Sequence, residues 1–311
     1  MKKLIALLMA LTMVFAFVAC GKDKEGDATT NPNAEPVVAE TTVPSVTALP
    51  TEPSADEPEE PATEIVEVTN ADGETITDAS GEAVTETITQ EATTKAPEKK
   101  PETKAEIVEY FNKAVNGVKT GAKSIKQLEV VNYLGGDAVI EGAIINGIYN
   151  GLGGNDWLDG MLQDNSQGEA TYSTSADIKA KFPVENETWG SKLTVDDVES
   201  ATCTEANGIY TITIKTKPDA KTTSIAHGEG HNPKVFSIAL PETINANIPG
   251  VAQGIVGEAA MNYPSGTVVV QIDKGTGKVL SANYDAHWTI NFDKMGVVLP
   301  LATKSAFIIN W

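Results

Sequence analysis

The chain has 311 residues, with 43 Asp and Glu against 23 Lys, no arginine, and a formal net charge of -20. A polyanionic backbone would be repelled by such a surface, and no guanidinium fork exists to clamp phosphate in a bidentate manner, so nucleic acid is excluded as a partner. Two cysteines in a chain of this length also exclude a disulfide-built scaffold.

In chain order, the first element is an apolar run. Lys2 and Lys3 precede Leu4 to Ala19, sixteen uncharged and almost wholly apolar residues, and the run ends at Cys20-Gly21 before a charged segment. At 1.5 Å per residue the run reaches about 24 Å as a helix, short of the roughly 30 Å of hydrocarbon a span must cross. The pattern predicts a secretory signal over residues 1–19. Phe17-Val18-Ala19-Cys20-Gly21 resembles the lipobox of a bacterial lipoprotein precursor, with small Ala19 before the cleaved bond and Phe17 where the usual pattern has Leu. The resemblance implies that Cys20 becomes the lipidated first residue of the mature chain, anchored in the cell membrane and facing outward.

From Gly21 to Lys104 there is no aromatic residue, but there are nine prolines, sixteen threonines, and 20 acidic residues against six lysines. So little apolar area cannot offset an ordering entropy of roughly 1–2 kcal/mol per residue. Residues 20–104 are therefore expected to form a lipidated, disordered acidic tether, at most about 280 Å long when extended. Within it Asn70–Thr77 is followed by a related copy, Asp78–Thr85. Each copy sets a turn-prone Asp-Gly or Ser-Gly before a β-branched run, which permits a transient hairpin but no calcium-binding repeat.

The folded portion is expected to run from Ala105 to Trp311, 207 residues holding every tryptophan and tyrosine. Thr103 and Glu106 have the spacing of a capping box, and Ile107, Val108, Phe111, Ala114, Val115 and Val118 recur at helical intervals up to Gly121. Leu128 to Leu134 fits a strand, and Lys126 to Tyr133 equally fits a continuing helix. Residues 137–152 predict a mostly buried helix, whose Ile140, Ile144 and Ile148 would serve core packing or line an apolar ligand.

Thr194 is expected to cap a short helical turn leading into a hairpin, Ser200–Thr204 and Ile209–Lys217, about the turn Asn207-Gly208. A second hairpin joins Thr267–Ile272 to Val279–Tyr284 through Asp273-Lys274-Gly275-Thr276-Gly277, with Trp288–Phe292 as a separate next strand and residues 306–311 as the last. Helices followed by a strand meander predict an α+β fold, a twisted antiparallel sheet of short strands with N-terminal helices on one face. The opening helix TKAEIVEYFNKAVNGVK, the segment LTVDDVESATC and the turn IDKGTGKV resemble uncharacterised acidic-tethered surface lipoproteins of Gram-positive anaerobes. That resemblance implies location and domain extent, and no mechanism.

Chemistry-bearing residues are sparse. Cys203, flanked by Thr202 and Thr204, reads as a buried, inert thiol on the apolar side of its strand; no base is tied to it by spacing. His227-Gly228-Glu229-Gly230-His231 is the one metal-like cluster. Its glycines argue against the helix that makes HExxH persuasive, so a solvated loop competes with a metal site of His227, Glu229 and His231, joined by His287 in a hydrolase. Asn155, Asp156, Asp159 and Asp164 are expected to form an acidic loop around Trp157 that fails the calcium-loop spacing. Asp196 and Asp197 are adjacent, hence no acid/base pair, and the DKGTG stretch lacks a phosphate cradle's pattern. No cofactor motif is present. The functional expectation is a non-enzymatic, lipid-anchored module that binds a cell-wall component, a glycan, an apolar ligand or a surface partner; a metal-dependent hydrolase and a lipid carrier are the alternatives. Nothing in the sequence fixes an oligomeric state.

Overall fold

The computed structural model of the protein describes residues 63–67, 85–89 and 99–311. The signal segment, Cys20 and nearly all of the acidic segment with its repeat lie outside the described residues. Inside that segment, strand β1 (Thr63–Glu67) pairs antiparallel with β2 (Thr85–Thr89), Thr63 opposite Thr89 and Glu67 opposite Thr85. Both strands are rich in β-branched residues, the composition that favours extended pairing.

Helix α1 (Lys104–Gly121) opens on the predicted capping box: the Thr103 hydroxyl accepts from the Glu106 N–H at 3.2 Å, and the Glu106 carboxylate accepts from the Thr103 N–H at 2.9 Å. Its apolar stripe, Ile107 through Val118, is buried against the sheet. Gly121 at its end lies under the last residue of the chain. A Cβ there would stand 3.2 Å from the Trp311 ring, whose indole N–H donates to the Val279 carbonyl at 2.7 Å.

The remaining elements are β3 (Ser124–Leu134), β4 (Val139–Ile140), α2 (Ala143–Gly151), α3 (Gly154–Gln163), β5 (Ala170–Tyr172), α4 (Ser175–Lys181), β6 (Val198–Ala206), β7 (Ile209–Thr216), β8 (Asp219–Thr222), α5 (Pro241–Asn247), α6 (Gly250–Val256), β9 (Ala260–Tyr263), β10 (Thr267–Asp273), β11 (Val279–Phe292) and β12 (Val297–Asn310). Ten strands form one antiparallel sheet, ordered β5-β3-β12-β11-β10-β7-β6, with β4 on β12 and β8-β9 added beside β11. The fold is α+β, a twisted open sheet with helices, as the sequence predicts.

Strand alternation divides the sheet into two faces. Ile212, Ile214, Val268, Val270, Tyr284, Trp288, Leu301 and Phe307 point toward the helices and form the core with Phe111, Val115 and Phe182. Thr213, Asn283, Asp285, His287 and Lys304 alternate onto the other face. Leu128 is accommodated by a bulge between Ala306 and Phe307, so Gln127 on one side of it and Val130 and Asn132 on the other share the helix-side face.

Three expectations are corrected and one open choice is settled. Residues 279–292 form one strand of 14 residues, without a break before Trp288, and β12 is equally long, so the central strands are not short. Of the two readings left open after Lys126, strand holds, because residues 126–134 pair along β12. The expected helix over 137–152 is shortened: Val139 and Ile140 pair with Val298 and Val297, and the helix starts only at Ala143. That pairing draws the helix to the end of the sheet instead of across its face, leaving Ile144 81% exposed and Ile148 half-buried, with Ile140 buried in the strand. The expected acidic loop around Trp157 is helix α3. Among the described residues, no helix is long and apolar enough to cross a membrane.

Candidate functional site

The sheet's helix-side face carries a partly open cleft of about 200 Å³. Its floor is Gln127, Val130 and Asn132 of β3, Thr303 of β12 and Trp288 of β11. Register brings these together: Thr303 lies opposite Asn132, and Trp288 lies opposite Leu301, two residues along the same face. One wall is the end of α4 and the chain after it, Lys181, Glu185 and Asn186; the other is His227 with residues 237–240 and Thr243 and Ile244 of α5.

Most polar groups of the floor are tied to the frame. The Thr303 hydroxyl donates to Asn132 Oδ1 at 2.6 Å, Asn132 Nδ2 donates to the Asn165 carbonyl at 3.2 Å, and Gln127 Nε2 donates to the Gly168 carbonyl at 3.0 Å. Ser237 Oγ accepts from the Glu185 N–H at 3.0 Å, which joins the two walls. Two nitrogens are exceptions. Trp288 Nε1 and His227 Nδ1 are buried without a hydrogen-bond partner. Trp288 is only 3% exposed, and an indole N–H can only donate. Such a group left unmatched costs about 1–3 kcal/mol, and native folds seldom retain one without a reason.

Burial pushes the His227 imidazolium down, outweighing the pull of Glu187 and the Pro233 carbonyl in the other direction, so the ring is neutral at neutral pH. Glu185 stands at the mouth. Its residue surface is exposed, yet the protein crowding its carboxyl raises it above the usual range, with Lys181 and Lys119 pulling back. Behind this wall lies Lys119, 8% exposed, whose ammonium donates to the carbonyls of Lys179 at 2.9 Å, Val184 at 2.8 Å and Phe182. Burial lowers it to about 7. Three carbonyls match the three ammonium protons, so Lys119 clamps the wall and does not reach the cleft. The sequence contained a signal for it that was missed: Lys119 follows Val115 by four residues and Phe111 by eight, a cation on the apolar stripe.

The HGEGH residues are placed apart in function. His227 enters the cleft wall. The Glu229 carboxylate accepts from the Ala226 N–H at 3.0 Å and closes a local turn. His231 Nδ1 meets Asp197 Oδ1 at 2.8 Å, while the His231 and Asn232 N–H groups donate to the Asp219 carboxylate at 2.7 and 2.9 Å. Gly230 permits this at φ +61, since a Cβ there would fall 2.7 Å from Asp219 Oδ1. Asp197, 2% exposed, also accepts from Lys234 Nζ at 2.8 Å and from the Thr194 N–H at 2.7 Å. Burial pushes its carboxyl up, but the hydrogen bonds of Lys234, His231 and Thr194 outweigh that and hold it at about 2. The loop is thus a cross-link between the 3-10 turn Val195–Asp197 that precedes β6, strand β8 and the 3-10 turn at Asn232–Lys234. His287 cannot join it: Trp288 faces the cleft, so its neighbour faces the other side, where His287 Nε2 lies 3.2 Å from Asp285 Oδ1. Among the described residues, no three His, Cys, Asp or Glu side chains are grouped to hold a metal ion.

The other candidates are structural. Ile140, Ile144 and Ile148 do not line the cleft, because their segment ends beside the sheet. Cys203 lies opposite Ile212 on the core side, as predicted, but is half-buried and not fully buried as expected; its partial burial raises the thiol. Asp159 Oδ1 accepts from the Leu134 N–H at 2.8 Å, and Asn155 Oδ1 from the Tyr149 hydroxyl at 2.6 Å, which seals the end of β3. Asp273 Oδ1 accepts from the N–H and hydroxyl of Thr276, each at 2.6 Å, a hairpin turn. No protein-family model, no curated protein and no solved structure matches the chain.

Proposed function

We propose that this protein is a lipid-anchored, outward-facing surface protein whose folded domain is a non-enzymatic binding module, with the cleft over Trp288 as its ligand site. The observation that carries the reading is the pair of unmatched nitrogens on residues that line one cleft, Trp288 Nε1 of its floor and His227 Nδ1 of its wall. A bound molecule that pairs them recovers free energy the empty fold forgoes. Binding is favoured over catalysis because His227 Nδ1 has no contact with a nucleophile, while the Ser237 hydroxyl in the same cleft is engaged by the Glu185 N–H. A lipid carrier is disfavoured by the amide and hydroxyl lining and by the small volume.

Location rests on the Lys2-Lys3, apolar run and Cys20 pattern. Cys20→Ser is expected to release the protein from the membrane fraction or leave it as uncleaved precursor; a normally processed, lipidated, membrane-retained variant would refute the anchor. For the cleft, Thr243→Trp plugs the mouth from an exposed position. Thermal shifts produced by small molecules of the cell surface are expected to disappear in that variant, and shifts that persist unchanged would place the ligand elsewhere.

A further inference from the structure

We infer that the cleft takes a neutral, hydroxyl-rich ligand of monosaccharide size, a free sugar or the end of a glycan. The inference rests on the cleft being the ligand site. Three observations converge on this chemistry.

The first is hydrogen-bond polarity. Trp288 Nε1 requires an acceptor, and His227 Nδ1 requires a donor or an acceptor according to the tautomer of its neutral ring. A hydroxyl group is both, so two hydroxyls of one ligand satisfy both nitrogens in either tautomer. A carboxylate offers acceptors only and so meets both nitrogens in one tautomer alone, and an ammonium offers donors only, which the Trp288 N–H cannot use.

The second is charge. The ionic side chains of the lining are Lys181 and Glu185, one of each sign and each acting electrostatically on the other, as the pull of Lys181 on the Glu185 carboxyl shows. The rest of the polar lining is amide and hydroxyl, Gln127, Asn132 and Thr303 among them. No net charge is set out to receive an ion.

The third is size. About 200 Å³ holds roughly seven waters at about 30 Å³ each and lies below the roughly 300–1,000 Å³ of drug-sized pockets. A long acyl chain would not be enclosed in such a volume. One ring fits it, and Ile238 and Ile244 offer apolar contact to its C–H groups.

The test is calorimetric titration of the full chain with glucose, galactose, N-acetylglucosamine and inositol, beside acetate, phosphate, ethylamine and octanoate. At least one neutral polyol is expected to bind saturably at concentrations on the order of 10 mM or below, the weak range a single-ring ligand reaches. Trp288→Phe keeps the ring shape and removes the N–H, and is expected to weaken that binding about fivefold to tenfold with an unchanged circular dichroism spectrum. Thr243→Trp, which leaves the core intact, is expected to abolish it. Failure of every neutral polyol overturns the ligand class. If an anion, the amine or octanoate binds and loses affinity in both variants, the cleft stands as the site and the sugar assignment falls. If sugars bind equally well to both variants, the cleft itself is the wrong site.

Discussion

Asp197 and Lys119 are opposite solutions to burying a charge. Asp197 gathers a lysine, a histidine and a threonine around one carboxylate, whereas Lys119 gathers only carbonyls. Their signatures in pH differ accordingly. The Asp197 carboxyl, held at about 2 against an ordinary 3.8, binds fewer protons folded than unfolded between those values. Its contribution is therefore fully present above about 4 and lost as pH falls through about 2. Asp197→Asn is expected to cost roughly 2–3 kcal/mol at pH 7 by leaving Lys234 with no carboxylate, and the gap to the parent should narrow at pH 2; urea melts at the two pH values check this. Lys119, lowered to about 7 from 10.5, is less protonated folded than unfolded across that window. Stability should therefore rise as pH goes from about 7 to about 10, and Lys119→Met should flatten that rise while costing roughly 2 kcal/mol through the unpaired carbonyls. An equal slope in the variant would show that Lys119 is not the group responsible.

At the scale of elements, what was legible in the sequence was local. The Thr103–Glu106 capping box, the Asn207-Gly208 turn with φ of 50 and 77, and the Asp273–Gly277 turn are each decided by residues within a few positions. What was illegible depends on distant partners. Nothing between Asp137 and Leu152 announces that Val139 and Ile140 will pair with Val298 and Val297, yet that pairing leaves α2 outside the core. Ile144→Glu is accordingly expected to change stability by less than about 0.5 kcal/mol, where Phe111→Ala should cost about 3–5. A large loss at Ile144 in thermal melts would mean that the helix is covered. The cleft was illegible for the same reason: its lining comes from β3, β11, β12, the chain after α4 and the α5 region, and only His227 among its residues stood out beforehand. His227 was noticed for its spacing to Glu229 and His231, which is not the reason the structure gives it.

The whole chain divides by charge and composition. Residues 21–104 carry 20 acids and six lysines, and the portion after them 23 acids and 15 lysines, so a strongly acidic segment separates Cys20 from the sheet. The proposed binding role turns on Trp288, and its indole N–H reports on itself. The four tryptophans give four side-chain N–H signals in a proton–nitrogen NMR spectrum, and Trp288→Phe identifies the one from the cleft. On titration with a neutral sugar that binds, that signal is expected to shift saturably while those of Trp157, Trp189 and Trp311 stay in place. A ligand that binds and leaves the Trp288 signal unmoved would contradict the assignment of the cleft as the site.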